Sequence, residues 1–256
     1  MEFKAVKGSG KVYICGAGPG DPGLATVRAM ELLRTCDVVL YDRLVSKEII
    51  SQIPDKTEKV YVGRSVGDPT GHQDSTNELM VKYAKQGKSV LRLKGGDPFI
   101  FGRGAEEAQY LLEHGILFEI VPGITSAIAS PAYAGIPLTH RKHSSSVAIV
   151  TGHEEAEKDE SAVNWEKLAG AVDTIVVMMG IGQLERICRD LRKAGMKKST
   201  KVAVVESGTT GRQRIVTGNL ETINRMVKKA QIRPPAVIVI GSVAGLESQL
   251  AWFIPK

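Results

Sequence analysis

The run KGGDPFIFGRG (94–104) sets two glycines, a carboxylate and a proline side by side, and Gly102 and Gly104 then flank Arg103. Glycine lets backbone come close to a ligand. Asp97 can accept a hydrogen bond from a ligand ammonium or hydroxyl. As an aspartate before proline it equally suits an Asx turn. An earlier run, GAGPGDPG (16–23), holds Gly18, Gly20 and Gly23 in the pattern GxGxxG, with Asp42 at the end of the next apolar run. That spacing matches a dinucleotide fingerprint. Pro19 and Pro22 count against it, because proline lacks the backbone N–H that holds a phosphate. The chain has no GxxxxGK[ST] pattern either. His140 and His143 are spaced like a ligand pair, but nothing supplies a third ligand, so no metal is expected.

These runs need elements to hold them. Short apolar, β-branched stretches recur at 12–15, 38–41, 60–62, 90–93, 117–121, 147–150, 174–179, 202–205 and 236–241. Most are apolar at consecutive positions, as in strands buried on both faces of a parallel sheet. Amphipathic stripes lie between them, such as Leu184, Ile187, Cys188 and Leu191, or Leu79, Met80, Tyr83 and Ala84. Gly87, Gly115 and Gly195 stand where helices end and a positive φ is needed. Alternating strands and helices predict an α/β fold with right-handed crossovers. The run 212–219 follows a strand with no room for a helix, so it reads as part of a hairpin and predicts a mixed second sheet. The stretch from His153 to Glu160 reads as an acidic surface loop. The expected organisation is two α/β domains, 1–130 and 131–256, with the proline-bearing run 131–139 as hinge and a ligand cleft between them. Glycines cluster at the carboxyl ends of strands, where open α/β sheets bind ligands.

Composition narrows the classes. The chain has 256 residues, of which 27 are glycine, and a formal charge of +6. No run approaches the ~18 apolar residues of a membrane span. The N-terminus does not read as a signal peptide. Cys15, Cys36 and Cys188 are widely spaced and form no CxxC, which favours reduced thiols and a cytoplasmic location over disulfides or zinc. The charge permits an anionic partner, and residues 185–233 carry 13 basic and 4 acidic side chains. Nucleic acid is not expected, because there is no arginine-rich tract and aromatics are only 5%.

Seven blocks, GAGPGDPG (16–23), YDRLVS (41–46), KGGDPFIFGRG (94–104), VPGITSA (121–127), AYAGIPLTHR (132–141), VTGH (150–153) and PAVIVIG (235–241), together resemble the S-adenosylmethionine-dependent tetrapyrrole methyltransferases. The GGDPF, FGRG and GIPLTHR blocks resemble the uroporphyrinogen-III C-methyltransferases within that family rather than methylases of later corrin intermediates. The resemblance implies two methyl transfers, at C2 and C7 of uroporphyrinogen III, giving precorrin-2 on the route to sirohaem or cobalamin. It implies S-adenosyl-L-methionine as cofactor, S-adenosyl-L-homocysteine as product, and a homodimer. A sulfonium cofactor carries no phosphate, which removes the difficulty raised by the prolines.

By the same resemblance, Pro19, Gly95, Gly96, Asp97, Ile100, Thr125, Ser126, Met179, Gly208 and Ala236 contact the cofactor. Thr125 and Ser126 equally suit capping of a helix that starts there. The acceptor bears eight carboxylates, which arginine forks recognise well. Arg43, Arg103, Arg141 and His140 are the substrate-binding candidates, with Lys94 beside them. Asp42 matches the family's proposed base, and Arg64 takes the second catalytic position. The family often has lysine there as a proton donor. An arginine does not give up its proton, so Arg64 is expected to bind carboxylate.

Overall fold

Consecutive apolar residues make strands that need cover on both faces, and the first half of the chain builds such a sheet. In the computed structural model, which describes residues 6–63, 72–152 and 163–255, its strands are β1 (Val12–Gly16), β2 (Val38–Tyr41), β3 (Glu58–Tyr61), β4 (Val90–Lys94) and β5 (Phe118–Val121). They pair in the order β3-β2-β4-β1-β5, every pair parallel. The helices are α1 (Val27–Thr35), α2 (Lys47–Ile50), α3 (His72–Lys85) and α4 (Gly104–Glu113). Thr26 caps α1 by accepting from Ala29 N at 3.1 Å, and Ser46 caps α2 through Ile49 N. Gly87 and Gly115, which follow α3 and α4, have φ of +80° and +68°.

Side chains alternate across the sheet, and so does the core. Cys15, Val39, Leu91 and Leu93 pack with Ala29, Leu32 and Leu33 of α1 and Ile49 of α2. Val12, Ile14, Leu40 and Val90 pack on the other face with Met80 and Ala84 of α3 and with Ala108 and Leu111 of α4. The crossover from β1 to β2 thus carries its first helix on one face, and that from β4 to β5 carries its helix on the other. Their outgoing loops diverge from neighbouring strands. That is a topological switch point, where open α/β sheets bind ligands.

The second half builds a mixed sheet from β6 (Val147–Thr151), β7 (Thr174–Met178), β8 (Lys201–Glu206), β9 (Arg214–Asn219) and β10 (Ala236–Ile240). The order is β6-β7-β10-β8-β9, with β6 and β7 parallel and every other pair antiparallel. The segment read as part of a hairpin is β9, paired with β8. The helices are α5 (Ser126–Tyr133), α6 (Trp165–Ala171), α7 (Leu184–Lys193), α8 (Ile223–Lys229) and α9 (Glu247–Leu250). Trp165, the α7 stripe Leu184, Ile187, Cys188 and Leu191, and Ile223 and Val227 of α8 cover one face. Ala127 of α5, with Ala134, Ile136, Val243 and Ala244, covers parts of the other.

The chain divides into two units, Met1–Thr125 and Ser126–Lys256. The division stands just before α5, against 130/131 in the sequence reading. Pro131, expected in a hinge, is buried inside that helix. The acidic stretch 153–160 lies outside the described residues. All three cysteines are free and buried, and burial pushes the thiols up, Cys15 to about 12 and Cys36 and Cys188 to about 11. They are core residues.

Candidate active site

In the first unit the loops leaving β1, β4 and β5 meet. Gly18 and Gly96 form a two-way bridge: Gly96 N donates to Gly18 O at 2.7 Å, and Gly18 N to Gly96 O at 3.2 Å. Backbone contact here leaves no room for side chains. A Cβ on Gly16 would stand 2.4 Å from Gly96 O, and one on Gly123 would stand 2.3 Å from the same oxygen. Gly96 also has φ +70°, a region that favours glycine.

Asp97 takes the Asx-turn role and adds a longer-range backbone contact. Its Oδ1 accepts from Phe99 N at 2.8 Å, the Asx turn, and its Oδ2 accepts from Gly123 N at 3.0 Å. The second bond ties the loop after β4 to the loop after β5. Asp42 does the same toward β2. Its Oδ1 accepts from Leu44 N at 3.2 Å and from Gly95 N at 3.4 Å. Pro19, Gly95, Gly96, Asp97 and Asp42 are therefore brought together at the carboxyl ends of β1, β2 and β4.

The neighbouring candidates differ in exposure. Ile100 is exposed, with Phe99 and Phe101, and Thr125 is buried. Arg43 is exposed next to Asp42. Arg103 sits ahead of α4 with φ 58°, and its Nε donates to Glu106 Oε2 at 2.8 Å. Lys94 is buried, its Nζ 2.9 Å from Glu107 Oε1. Burial and the adjacent Arg92 lower the Lys94 ammonium from its usual value. Arg64 lies outside the described residues.

The second unit carries its own set. Met179 follows β7 with φ 55° and is 51% exposed. Gly208 follows β8 between Ser207 and Thr209, both at positive φ. Ala236 opens β10 opposite Glu206, and Val237 stands opposite Met178, so the three positions share one end of the sheet. A Cβ on Gly208 would lie 2.3 Å from Ser130 Oγ in α5, the helix that Ser126 begins. His140 and Arg141 are exposed beyond α5. The His140 Nδ1 accepts from Lys142 N at 3.1 Å, and its ring centroid is 4.8 Å from that of His143. Among the described residues no three His, Cys, Asp or Glu side chains form a metal-binding group.

Two buried residues escaped the sequence reading, Arg92 in β4 and Glu107 in α4. Arg92 Nη2 is 3.6 Å from Asp42 Oδ2, and Arg92 Nε donates to Glu107 Oε1 at 3.0 Å. The available signal was a charge pair, Arg92 and Lys94, two apart inside an apolar strand. Burial there demands a counter-charge.

Residues 11–224 match the family model of tetrapyrrole (corrin/porphyrin) methylases. A uroporphyrinogen-III C-methyltransferase of Bacillus subtilis is 49% identical over 95% of this chain and 95% of its own length. A siroheme synthase of Nitrosomonas europaea is 48% identical over 96% of this chain. The chain spans about half the length of the siroheme synthases it matches, 51% in that case. Among solved structures, the uroporphyrin-III C-methyl transferase of Thermus thermophilus complexed with S-adenyl homocysteine is 40% identical with a TM-score of 0.79, covering 93% of this chain and 100% of that one.

Proposed function

The chain belongs to the tetrapyrrole (corrin/porphyrin) methylases, and from that premise we propose that it is an S-adenosylmethionine-dependent C-methyltransferase that converts uroporphyrinogen III to precorrin-2 by methylation at C2 and C7. The observation that carries the reading is the glycine cradle at the switch point of the first sheet. Gly18 N is spent on Gly96 O, and Pro19 has no N–H to offer. Such a loop presents carbonyls rather than a nest of donors. It suits a sulfonium cofactor and not a phosphate. By the family resemblance, Pro19, Gly95, Gly96, Asp97, Ile100, Thr125, Ser126, Met179, Gly208 and Ala236 would hold the cofactor. When bound, it supplies an electrophilic methyl group.

Methyl transfer is largely positioning. Asp97 serves it by tying two loops together, which fixes the glycine backbone that faces a ligand. Asp42 acts as the base that takes the ring proton after methylation. Arg43, Arg103, Arg141 and His140 bind the acceptor's carboxylates, and Arg64 is assigned to the same task. No helix among the described residues is long and apolar enough to cross a membrane. The reading includes a homodimer in the cytoplasm; the three free thiols support the location.

The test is direct. Incubation with methyl-labelled S-adenosylmethionine is expected to move label into uroporphyrinogen III and none into RNA. Label found in RNA alone overturns the reading.

A further inference from the structure

Arg92 and Lys94 lie two apart on β4, so both project from the face covered by α3 and α4. Each is 5% exposed, and Glu107 in the first turn of α4 is fully buried beside them. One carboxylate oxygen, Glu107 Oε1, accepts from Arg92 Nε at 3.0 Å and from Lys94 Nζ at 2.9 Å. The Arg92 Nη1 donates to Leu93 O at 3.2 Å, which fixes the plane of the guanidinium. Its Nη2 then reaches toward Asp42 Oδ2 at 3.6 Å. A line of alternating charge runs from α4 through β4 to the end of β2.

Such a line is an expensive way to fill a core. A buried ion network is often no more stable than apolar side chains of the same volume. Outer-shell partners that orient a reacting group give the charges a reason to be there. We propose that Glu107 is a positioning residue for methyl transfer: it locks the Arg92 guanidinium, and Arg92 in turn fixes the Asp42 carboxylate at the strand ends. This rests on the reading of Asp42 as the base. Lys94 is the counter-charge that lets Glu107 stay ionised. Burial opposes that ionisation, but Arg92 and Lys94 outweigh it, and the carboxyl stays below its usual range.

Glu107→Gln keeps the shape and removes the charge. The expected result is a fall in kcat of about 10- to 100-fold, with KM for uroporphyrinogen III and calorimetric affinity for S-adenosylhomocysteine within about twofold of wild type. Because Glu107 acts through Asp42, the double variant Asp42→Asn, Glu107→Gln is expected to be no slower than Asp42→Asn alone. A second variant guards against misfolding. Replacing Arg92, Lys94 and Glu107 together by Met leaves no orphaned charge. It is expected to keep a thermal midpoint near wild type and still lose kcat at least as far. A Glu107→Gln enzyme with wild-type kcat, losses that multiply in the double variant, or a folded triple variant with wild-type kcat would each overturn the positioning role and leave Asp42 standing. An Asp42→Asn enzyme with wild-type kcat would remove the base assignment, and the positioning role with it.

Discussion

Glu107 in the first unit and Glu206 in the second are both buried carboxylates held by arginine, and they do different work. Glu206 ends β8. It pairs with Arg214 directly across the β8–β9 ladder, and its Oε1 accepts from Arg233 N at 2.8 Å. Arg214 is half exposed and also donates to Ala230 O and Gln231 O just past α8. Every partner is local to one corner of the sheet. The knot closes a hairpin onto the end of a helix and goes no further. Glu107 has cations whose side chains are only 6% exposed, and its line of charge leads to an acidic side chain at the strand ends. Where a buried ion network goes therefore says more about its role than how many bonds it makes.

The glycines repeat the contrast. Gly123 meets backbone at the end of β1 and in the loop after β4, whereas Gly208 meets first the hydroxyl and Cβ of one serine. Backbone cannot step aside, but a helix side chain can in part. The largest loss of ligand affinity is therefore expected from Gly123→Ala, which must push Gly96 away and with it the bond from Gly123 N to Asp97. Loss of S-adenosylhomocysteine affinity by more than about 100-fold is expected in calorimetry, a scale set by the cost of overpacking a rigid contact. Gly208→Ala is expected to lose clearly less. Equal losses would break the distinction between a backbone cradle and a side-chain contact.

On stability, the larger effect is expected from the single replacement Arg92→Met. It strands Glu107 with one cation instead of two, and breaking a buried pair costs about 3–5 kcal/mol. Denaturant unfolding is expected to show that loss together with a fall in kcat. Arg214→Met removes a half-exposed partner, where screening leaves little at stake. A small drop in thermal midpoint is expected, with kcat within about twofold of wild type. If Arg214→Met cuts kcat as deeply as Arg92→Met, the two knots do not differ in role.

Much of this was legible in the sequence, and the division has a physical cause. All nine apolar runs became strands, because short β-branched runs bounded by glycine, proline or polar turns are too brief for a buried helix and suit a sheet covered on both faces. Gly87, Gly115 and Gly195 took positive φ because ending a helix is a local matter. Glycines at 16–23 and 94–104 landed on adjacent strand ends. Pro131 misled, since a proline and glycine run reads as a connection, whereas here the proline lies inside the last turns of the short helix α5 and is buried there. Glu107 was not legible as anything but a polar first-turn residue in AEEAQ. Its partners lie 13 and 15 residues away, on a strand whose neighbours are set by the whole sheet order. Long-range pairing decides burial, and burial decides what a charge can do.

The smallest expected effect is also the most diagnostic of the second knot. The Glu206 carboxyl is held below its usual range: burial pushes it up, but Arg214, Arg233 N and Arg233 push it down further. An acid whose folded value is depressed binds its proton more readily when unfolded. Its stabilising contribution is then complete above the unfolded glutamate value of about 4.3 and is lost as pH falls through the folded one. The gap in thermal midpoint between wild type and Glu206→Gln is expected to be constant from about pH 7 to 5 and to shrink below about 4.3. Added salt should narrow it, because Arg214 faces solvent. A gap that stays constant down to pH 3 would mean that Glu206 is held by shape and not by charge, and the parallel between the two carboxylates would end there.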